Sequence, residues 1–370
     1  MGRQALVCVL VVALVLVAQC SGDRLWVGVD SPAVAVEGRA VMQDSGDGSY
    51  LAYDWSGVNV KIVVTNTATV EVRLKDKNNF YNVFVDGKGT PIHVIEATDG
   101  DNVQAYSLFP EGYELLLDRH YVIMLTKRTE AQNNSNGPAE VFGFTLDEGG
   151  AALPPPWEPP SRHMEFLGDS ITCGYGNLVN TTSCTDPQGI IEDNWLTYDQ
   201  MLARYFNAAV HVESWSGIGL VRNYGDVNQT SKDPFPTYWN RTIAVEPTPV
   251  YDFSLFVPDL VVVNLGTNDF STQPNPTREQ FESGYYEFIA RIRTAYGEDL
   301  PMFLVCGPMI GDPCCTYVQE VVSNVSNAYY VDLQDILVDG EYGCGGHPNV
   351  AGHRKMAALA EPTIAAVMGW

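Results

Sequence analysis

The chain has 370 residues, of which 45% are hydrophobic, and 45 acidic against 21 basic residues give it a formal net charge of −24. This length and apolar content exclude a disordered chain and favour two folded units, each with its own core. The negative charge argues against nucleic acid or an anionic membrane as a partner, because both are polyanions, and a neutral substrate fits better. Acidity also keeps a secreted protein soluble, so it does not by itself identify a substrate.

Residues 1–22 have the pattern of a signal peptide. Arg3 supplies a positive start, residues 6–18 are an unbroken apolar run, and small residues such as Ala18 and Gly22 follow. The run is shorter than the roughly 20 residues that a membrane-spanning helix needs, so we expect cleavage, secretion and no membrane attachment afterwards. Triplets typical of N-glycosylation add weak support, at Asn133, Asn180, Asn228, Asn240 and Asn324.

The cysteines of the exported chain favour disulfides over a metal site. Cys8 and Cys20 would leave with the signal peptide, and the remaining six are Cys173, Cys184, Cys306, Cys314, Cys315 and Cys344. An oxidising compartment favours pairing among them. A zinc site would need a CxxC pair or a histidine cluster at ligand spacing, and the sequence has neither. The pattern leaves the pairing itself open.

A proline-rich stretch separates two regions with different patterns. Residues 153–162 carry five prolines, which hold the backbone extended, and we place a linker at residues 151–162. Before it, residues 24–150 contain short alternating runs such as VNVKIVV and TVEVRL between turn signals such as Asp86-Gly87. This region is predicted to be an all-β domain, most simply a jelly-roll sandwich.

After the linker, residues 163–370 alternate between buried strands and helices. The apolar runs HMEFLG, DLVVVNLG and MFLVCGP each lead into a glycine, and segments such as REQFESGYYEFIARIRTAYG have helical spacing. This alternation predicts an α/β domain with a mainly parallel sheet. In such sheets the active-site crevice lies at the carboxyl ends of the strands.

Four polar loops are predicted at or near those strand ends. They contain Ser170 in GDSITCGYG, Gly217 in ESWSGIGLVRNYG, Asn268 in NLGTNDF and His347 in GCGGHPNVAGH. A serine at a strand-to-helix turn suits a nucleophile close to backbone N–H donors, and an amide beyond a buried strand can donate to an oxyanion. Each residue alone is ambiguous, because isolated serines and asparagines often cap helices and an isolated histidine is often not catalytic.

As a set, these loops resemble the four blocks of the SGNH hydrolase superfamily, also called GDSL-type esterases, over residues 164–365. The resemblance implies a flavodoxin-like parallel sheet with Ser170 as the nucleophile and His347 as the general base. It also implies an oxyanion hole made of the Ser170 and Gly217 backbone amides and the Asn268 side chain. Neither a metal nor an organic cofactor is implied.

A narrower resemblance covers nearly the whole exported chain. The β domain, HYVIMLTKRTEA, GDSITCGYGN, TYDQMLAR and SGIGLVRNYG are similar to carbohydrate esterase family two, in which a jelly-roll domain precedes the SGNH domain. Members of that family remove acetyl groups from xylan and related polysaccharides. The resemblance therefore implies a secreted acetyl esterase with an acetylated carbohydrate such as xylan or glucomannan as its substrate.

The chain departs from the family pattern just before the histidine. Related sequences often have an aspartate two or three residues before it, where this chain has Gly345 and Cys344. A backbone carbonyl can also hold an imidazole through its Nδ1–H, as dyad members of the family imply, so we expect a Ser170–His347 dyad. A third member drawn from Asp332, Asp335 or Asp339 is the alternative.

Aromatic residues near the polar loops are candidates for a sugar platform. Trp215 and Tyr175 are the preferred pair because they neighbour the catalytic blocks, and Tyr224 and Trp239 lie nearby. Core packing is the competing role for each of them. Two other functions also fit the sequence: a lipase-like SGNH esterase acting on other esters, and a carbohydrate-binding protein that has lost catalysis.

Overall fold

The computed structural model describes residues 24–46, 48–131, 137–184 and 188–370. The predicted signal peptide and the triplet at Asn133 lie outside the described residues. Within these ranges, every helix is too short or too polar to cross a membrane.

Within the described part of the N-terminal domain there are ten strands: β1 (Leu25–Gly28), β2 (Val34–Glu37), β3 (Val41–Asp44), β4 (Ser49–Tyr53), β5 (Asn59–Thr65), β6 (Val70–Val85), β7 (His93–Ser107), β8 (His120–Lys127), β9 (Ala139–Leu146) and β10 (Ala151–Leu153). They are hydrogen-bonded into one connected antiparallel sheet. The all-β domain predicted from the sequence is confirmed. Residues 151–153, at the start of the predicted linker, pair with residues 63–65 of β5.

The long strand β6 organises this sheet. One of its edges pairs with β7, and the other pairs first with β9 and then with β8. Along its first half, Val70, Val72 and Leu74 are buried while the polar residues between them are half-buried, which is the alternation that a pleated strand imposes. The sheet therefore folds around a core that includes Trp55, Val60 and Phe144.

The C-terminal domain contains a five-stranded parallel sheet made of β11 (Arg162–Gly168), β12 (Ala208–Ser214), β13 (Leu260–Asn264), β14 (Met302–Cys306) and β15 (Ala328–Asp332). The strand order is β12-β11-β13-β14-β15, so the chain order reverses between β11 and β13. This is the flavodoxin-like order, in which ligands bind at the reversal point beyond the carboxyl ends of the strands. The predicted α/β fold is confirmed.

Among the residues described, seven α-helices accompany this sheet: α1 (Ser170–Cys173), α2 (Tyr198–Phe206), α3 (Phe235–Trp239), α4 (Thr267–Phe270), α5 (Arg278–Tyr296), α6 (Cys314–Asn324) and α7 (Val350–Met368). Helices α2 and α7 pack on one face of the sheet, where Leu202 and Met356 contribute to the core, and α5 and α6 supply Phe288 and Val318 to the core on the other face. Strands β11, β13 and β14 are buried on both faces, which explains their continuous apolar runs.

The register of the three adjacent strands β12, β11 and β13 makes their carboxyl ends level. Gly168, the last residue of β11, pairs with Ser214 of β12 and with Asn264 of β13. The segments that follow these strands contain Ser170, Gly217 and Asn268. Three of the four polar loops predicted from the sequence therefore leave the sheet at one height on one edge.

A buried arginine joins the two domains. Arg39 of the β domain lies 2.7 Å from Glu165 of β11 and 2.9 Å from Glu213 of β12, and all three side chains are fully buried. Burial raises the pKa of Glu213 well above its usual value, while the charge of Arg39 acts in the opposite direction. Burial also disfavours the charge on Arg39, yet Glu213 and Glu165 together keep its pKa above the usual value. A single cation thus holds two strands of the catalytic domain against the β domain.

We expect Arg39→Met to lower the free energy of unfolding by about 3–5 kcal/mol, because it leaves two buried carboxyl groups without their cation. The matched control is Arg119→Met, which removes an ion pair with Asp86 in which the arginine side chain is 56% exposed and should cost less than about 1 kcal/mol. Urea denaturation followed by tryptophan fluorescence measures both. Equal losses in the two variants would contradict this account of the domain contact.

Candidate active site

Ser170 lies at the start of α1, directly after β11. The preceding residue, Asp169, caps the helix, and its carboxyl oxygen accepts a hydrogen bond from the Ile171 N–H at 3.0 Å. Because Ser170 is the first residue of the helix, its own N–H has no acceptor within the helix. The hydroxyl and this N–H therefore sit together at the strand-order reversal of the sheet.

His347 contacts Ser170 directly. Its Nε2 lies 2.7 Å from Ser170 Oγ, and its Nδ1 lies 2.9 Å from the backbone carbonyl oxygen of Cys344. A carbonyl can only accept, so the Nδ1 carries the proton and Nε2 is free to accept the serine proton. Burial lowers the pKa of His347 to about 4, and the hydrogen bond to the Cys344 carbonyl acts in the opposite direction. The imidazole is therefore neutral at pH 7 and is in the tautomer that a general base needs.

The three aspartates considered as a third catalytic residue, beside Ser170 and His347, have other surroundings. Asp332 accepts a hydrogen bond from the Gln334 N–H at 3.1 Å, Asp335 lies 3.4 Å from the Gln334 amide, and Asp339 is exposed. The structure brings a backbone carbonyl, and none of these carboxylates, to the Nδ1 of His347. The geometry is that of a dyad.

A disulfide fixes the residue that orients the imidazole. Cys344 is bonded to Cys184, and a second disulfide joins Cys306 to Cys315. The prediction of disulfides is thus confirmed, while Cys173 and Cys314 are buried thiols. Gly345 and Gly346 follow Cys344 with φ of 62° and 82°, values that favour glycine. These glycines let the chain turn back so that His347 meets the Cys344 carbonyl.

The predicted oxyanion donors lie on the neighbouring strand ends. Gly217 has φ of 79°, and its N–H has no protein acceptor among the described residues. Asn268 Nδ2 lies 3.0 Å from the Ile218 carbonyl and 3.3 Å from Asp169. These contacts join the second and third polar loops to the turn that carries Ser170. In this state both amide hydrogens of Asn268 have a protein acceptor.

Sequence reasoning missed a buried aspartate that shapes the second loop. Asp269 accepts hydrogen bonds from the N–H groups of Leu220, Val221 and Arg222 at 2.8–2.9 Å. Burial raises the pKa of Asp269 to about 6, although these three N–H groups act against the shift. Its position directly after Asn268, inside a predicted active-site loop, was the available signal.

The four aromatic candidates have different surroundings. The Tyr175 ring lies 4.7 Å from the His347 ring, and the half-buried Trp215 ring packs on Tyr238 at the same distance between centroids. Trp239 is buried in the core of the α/β domain. Tyr224 is 63% exposed, and its N–H donates to the Gly217 carbonyl at 2.8 Å. Of the four, Tyr224 has the ring most open to a ligand.

The side chains that could bind a metal are dispersed. Across the described ranges, no three His, Cys, Asp or Glu side chains are arranged to hold an ion.

Two family profiles match the chain. The GDSL-like lipase/acylhydrolase family matches residues 166–355, and the carbohydrate esterase 2 N-terminal family matches residues 36–156. The cellulase/esterase CelE of Acetivibrio thermocellus is 33% identical over 353 residues, which cover 92% of this chain and 40% of CelE. An acetylxylan esterase/glucomannan deacetylase of Cellvibrio japonicus is 27% identical over 319 residues, or 83% of each chain. The chain thus spans less than half the length of CelE.

A solved structure agrees over both domains. A family two carbohydrate esterase from Clostridium thermocellum in complex with cellohexaose superposes with a TM-score of 0.80 at 30% identity, covering 91% of this chain and 99% of that one. The resemblance predicted from the sequence is confirmed. The chain belongs to the GDSL-like lipase/acylhydrolase family and, within it, to the family two carbohydrate esterases.

Proposed function

We propose that this chain is a serine esterase that removes O-acetyl groups from polysaccharides such as xylan or glucomannan. The observation that carries the proposal is the 2.7 Å contact between Ser170 Oγ and the neutral His347 Nε2 at the strand-order reversal. The names of the relatives give the substrate class: one is a carbohydrate esterase and another an acetylxylan esterase/glucomannan deacetylase. The net charge of −24 suits a neutral polymer.

In the proposed mechanism, His347 Nε2 takes the proton of Ser170 as Oγ attacks the acetyl carbonyl carbon. The carbonyl electrons move to oxygen, and the tetrahedral intermediate collapses by breaking the bond to the sugar oxygen, which receives the proton from His347. Water then attacks the acetyl-serine with His347 again as base. Acetate leaves, and the Ser170 hydroxyl is restored.

The oxyanion would be stabilised by the N–H groups of Ser170 and Gly217 and by the side chain of Asn268. Asn268 would redirect one amide hydrogen, most readily the one on its longer contact to Asp169 at 3.3 Å. One such donor is worth roughly 3 kcal/mol, or at least about a hundredfold in rate. The Tyr175 ring, which lies beside His347, and the Trp215 ring are proposed to contact the sugar.

We also propose that the protein acts outside the cytosol. The two disulfides in the described part of the chain suit an oxidising compartment, where such bonds persist. The apolar segment near the N-terminus has the composition of an export signal.

The deciding experiment measures acetate release from acetylated xylan and acetylated glucomannan, beside para-nitrophenyl acetate and palmitate. We expect release by the wild type, little cleavage of palmitate, and loss of at least a thousandfold in Ser170→Ala because the covalent route is gone. Strong palmitate cleavage would favour a lipase-like esterase. Polysaccharide binding without cleavage of any ester would favour a binding protein.

The pH profile tests the role of His347. The base acts only when neutral, so activity is present above its pKa and is lost as the pH falls through it. Since the pKa of His347 is lowered to about 4, kcat/KM should hold from neutral pH into the acid range and become half-maximal near pH 4. Circular dichroism at each pH controls for unfolding. A half-maximal point near the ordinary histidine value of about 6.5 would contradict the assigned environment.

The disulfide at Cys344 should matter for the rate. Cys184→Ser/Cys344→Ser releases the segment whose carbonyl orients His347, and we expect kcat to fall about tenfold with KM little changed, because small misplacements of a base are costly. Cys306→Ser/Cys315→Ser, which removes the other disulfide, is the matched control and should leave kcat within about threefold. Steady-state kinetics on para-nitrophenyl acetate decide, and equal kcat values for the two variants would argue against the orienting role.

A further inference from the structure

A buried carboxylate of the β domain reaches into the active site of the other domain. Glu130 lies three residues after β8 and is 1% exposed. Its Oε2 accepts a hydrogen bond from the Ser216 N–H at 2.7 Å, and its Oε1 accepts one from the Ser216 hydroxyl at 2.7 Å. Both oxygens thus bind the residue that directly precedes Gly217.

Glu130 is itself held on several sides. Its N–H donates to Glu192 Oε1 at 2.7 Å, and its carbonyl accepts from the buried Lys127 ammonium at 3.2 Å. The same ammonium donates to the carbonyl of Thr129. Because these hydrogen bonds hold the backbone of Glu130, its carboxylate has little freedom to shift and can fix the position of Ser216.

The segment that Glu130 binds carries the proposed oxyanion donor. The Trp215 N–H donates to the Gly168 carbonyl at 3.2 Å, and the Gly217 carbonyl accepts from the Tyr224 N–H at 2.8 Å. Between these anchors, the direction of the Gly217 N–H depends on the peptide that joins it to Ser216. The Glu130 carboxylate fixes the other side of Ser216, because it binds the N–H and the hydroxyl of that residue.

Glu130 also contacts the helix that carries the nucleophile. Cys173, three residues after Ser170 in α1, points its Sγ at Glu130 Oε2 at 3.5 Å. The carboxylate is therefore a shared partner of the Ser170 helix and the Gly217 loop. It approaches both from a domain that supplies none of the four family blocks.

We propose that Glu130 is a positioning residue through which the β domain aligns the Gly217 N–H with Ser170 for the acyl-transfer transition state. The inference rests on the proposed serine esterase function. It gives the β domain a part in the chemical step, in addition to any part in binding carbohydrate. Because the oxyanion forms only in the transition state, loss of this alignment lowers kcat more than it raises KM.

The test compares Glu130→Ala with Glu130→Gln on para-nitrophenyl acetate and acetylated xylan. We expect Glu130→Ala to lower kcat about tenfold to a hundredfold with KM within about threefold. Glu130→Gln should recover most of the rate, since its amide oxygen can accept from the Ser216 N–H and its amide hydrogen can bind the rotated hydroxyl. A residue that only stabilised the fold would lower the melting temperature without this split between kcat and KM.

Asp54→Ala is the matched control. Asp54 is another buried carboxylate of the β domain that holds backbone of the α/β domain, accepting from the Ala244 and Val245 N–H groups at 2.7 and 2.9 Å. Its loss should lower the melting temperature comparably and leave kcat within about threefold at a temperature where the variant is folded. Three results overturn the proposal: kcat of Glu130→Ala within threefold of wild type, an equal fall in Asp54→Ala, or no recovery in Glu130→Gln.

Labelling by an alkyl fluorophosphonate separates this inference from the proposed function. Ser170 Oγ would displace fluoride from phosphorus, so the labelling rate reports the dyad and the oxyanion donors without any acetylated substrate. A labelled wild type that releases no acetate would end the substrate proposal, and the same variants would still test Glu130 through their labelling rates. If the wild type is not labelled, a crystal structure of Glu130→Ala decides, and an unmoved Ser216–Gly217 peptide overturns the inference.

Discussion

The level ends of three parallel strands are the constraint on which the site depends. Gly168 pairs with Ser214 on one side and with Asn264 on the other, so β12, β11 and β13 stop at the same height. Their order reverses at this point, and the connections diverge to leave a crevice. Side chains from segments far apart in sequence meet there without any local signal that joins them. His347 completes the set from the loop before α7, through its contact with Ser170.

Buried charge joins the two domains. Arg39, Asp54 and Glu130 all belong to the β domain, and the side chain of each binds backbone, carboxylate or hydroxyl groups of the α/β domain. Removing a charged side chain from water costs free energy, and each of these three side chains offsets that cost by binding partners at defined distances. These contacts fix the orientation of the domains more narrowly than an apolar interface would, because hydrogen bonds are directional and apolar packing is not.

The sequence was sufficient for the fold class, and it singled out the four polar loops as candidates for the site. Periodicity distinguishes alternating strands from buried ones, and short blocks with fixed residue types stand out against it. It could not reveal which atom holds the Nδ1 of His347, because a backbone carbonyl carries no residue signature. The pairing of Cys184 with Cys344 and the reach of Glu130 to Ser216 depend on contacts between distant parts of the chain. For Trp239 the sequence was misleading. This residue lies near a polar loop in the sequence, which made it a candidate for sugar binding, but it is buried in the core.

The partner of His347 Nδ1 is a main-chain atom, the carbonyl oxygen of Cys344. Every amino acid has that oxygen, so the orienting group is encoded by the path of the backbone and by no particular side chain. Single side-chain substitutions cannot remove this carbonyl oxygen. A mutational scan of the site would therefore identify Ser170 and His347 and miss the third group that the proposed chemistry uses.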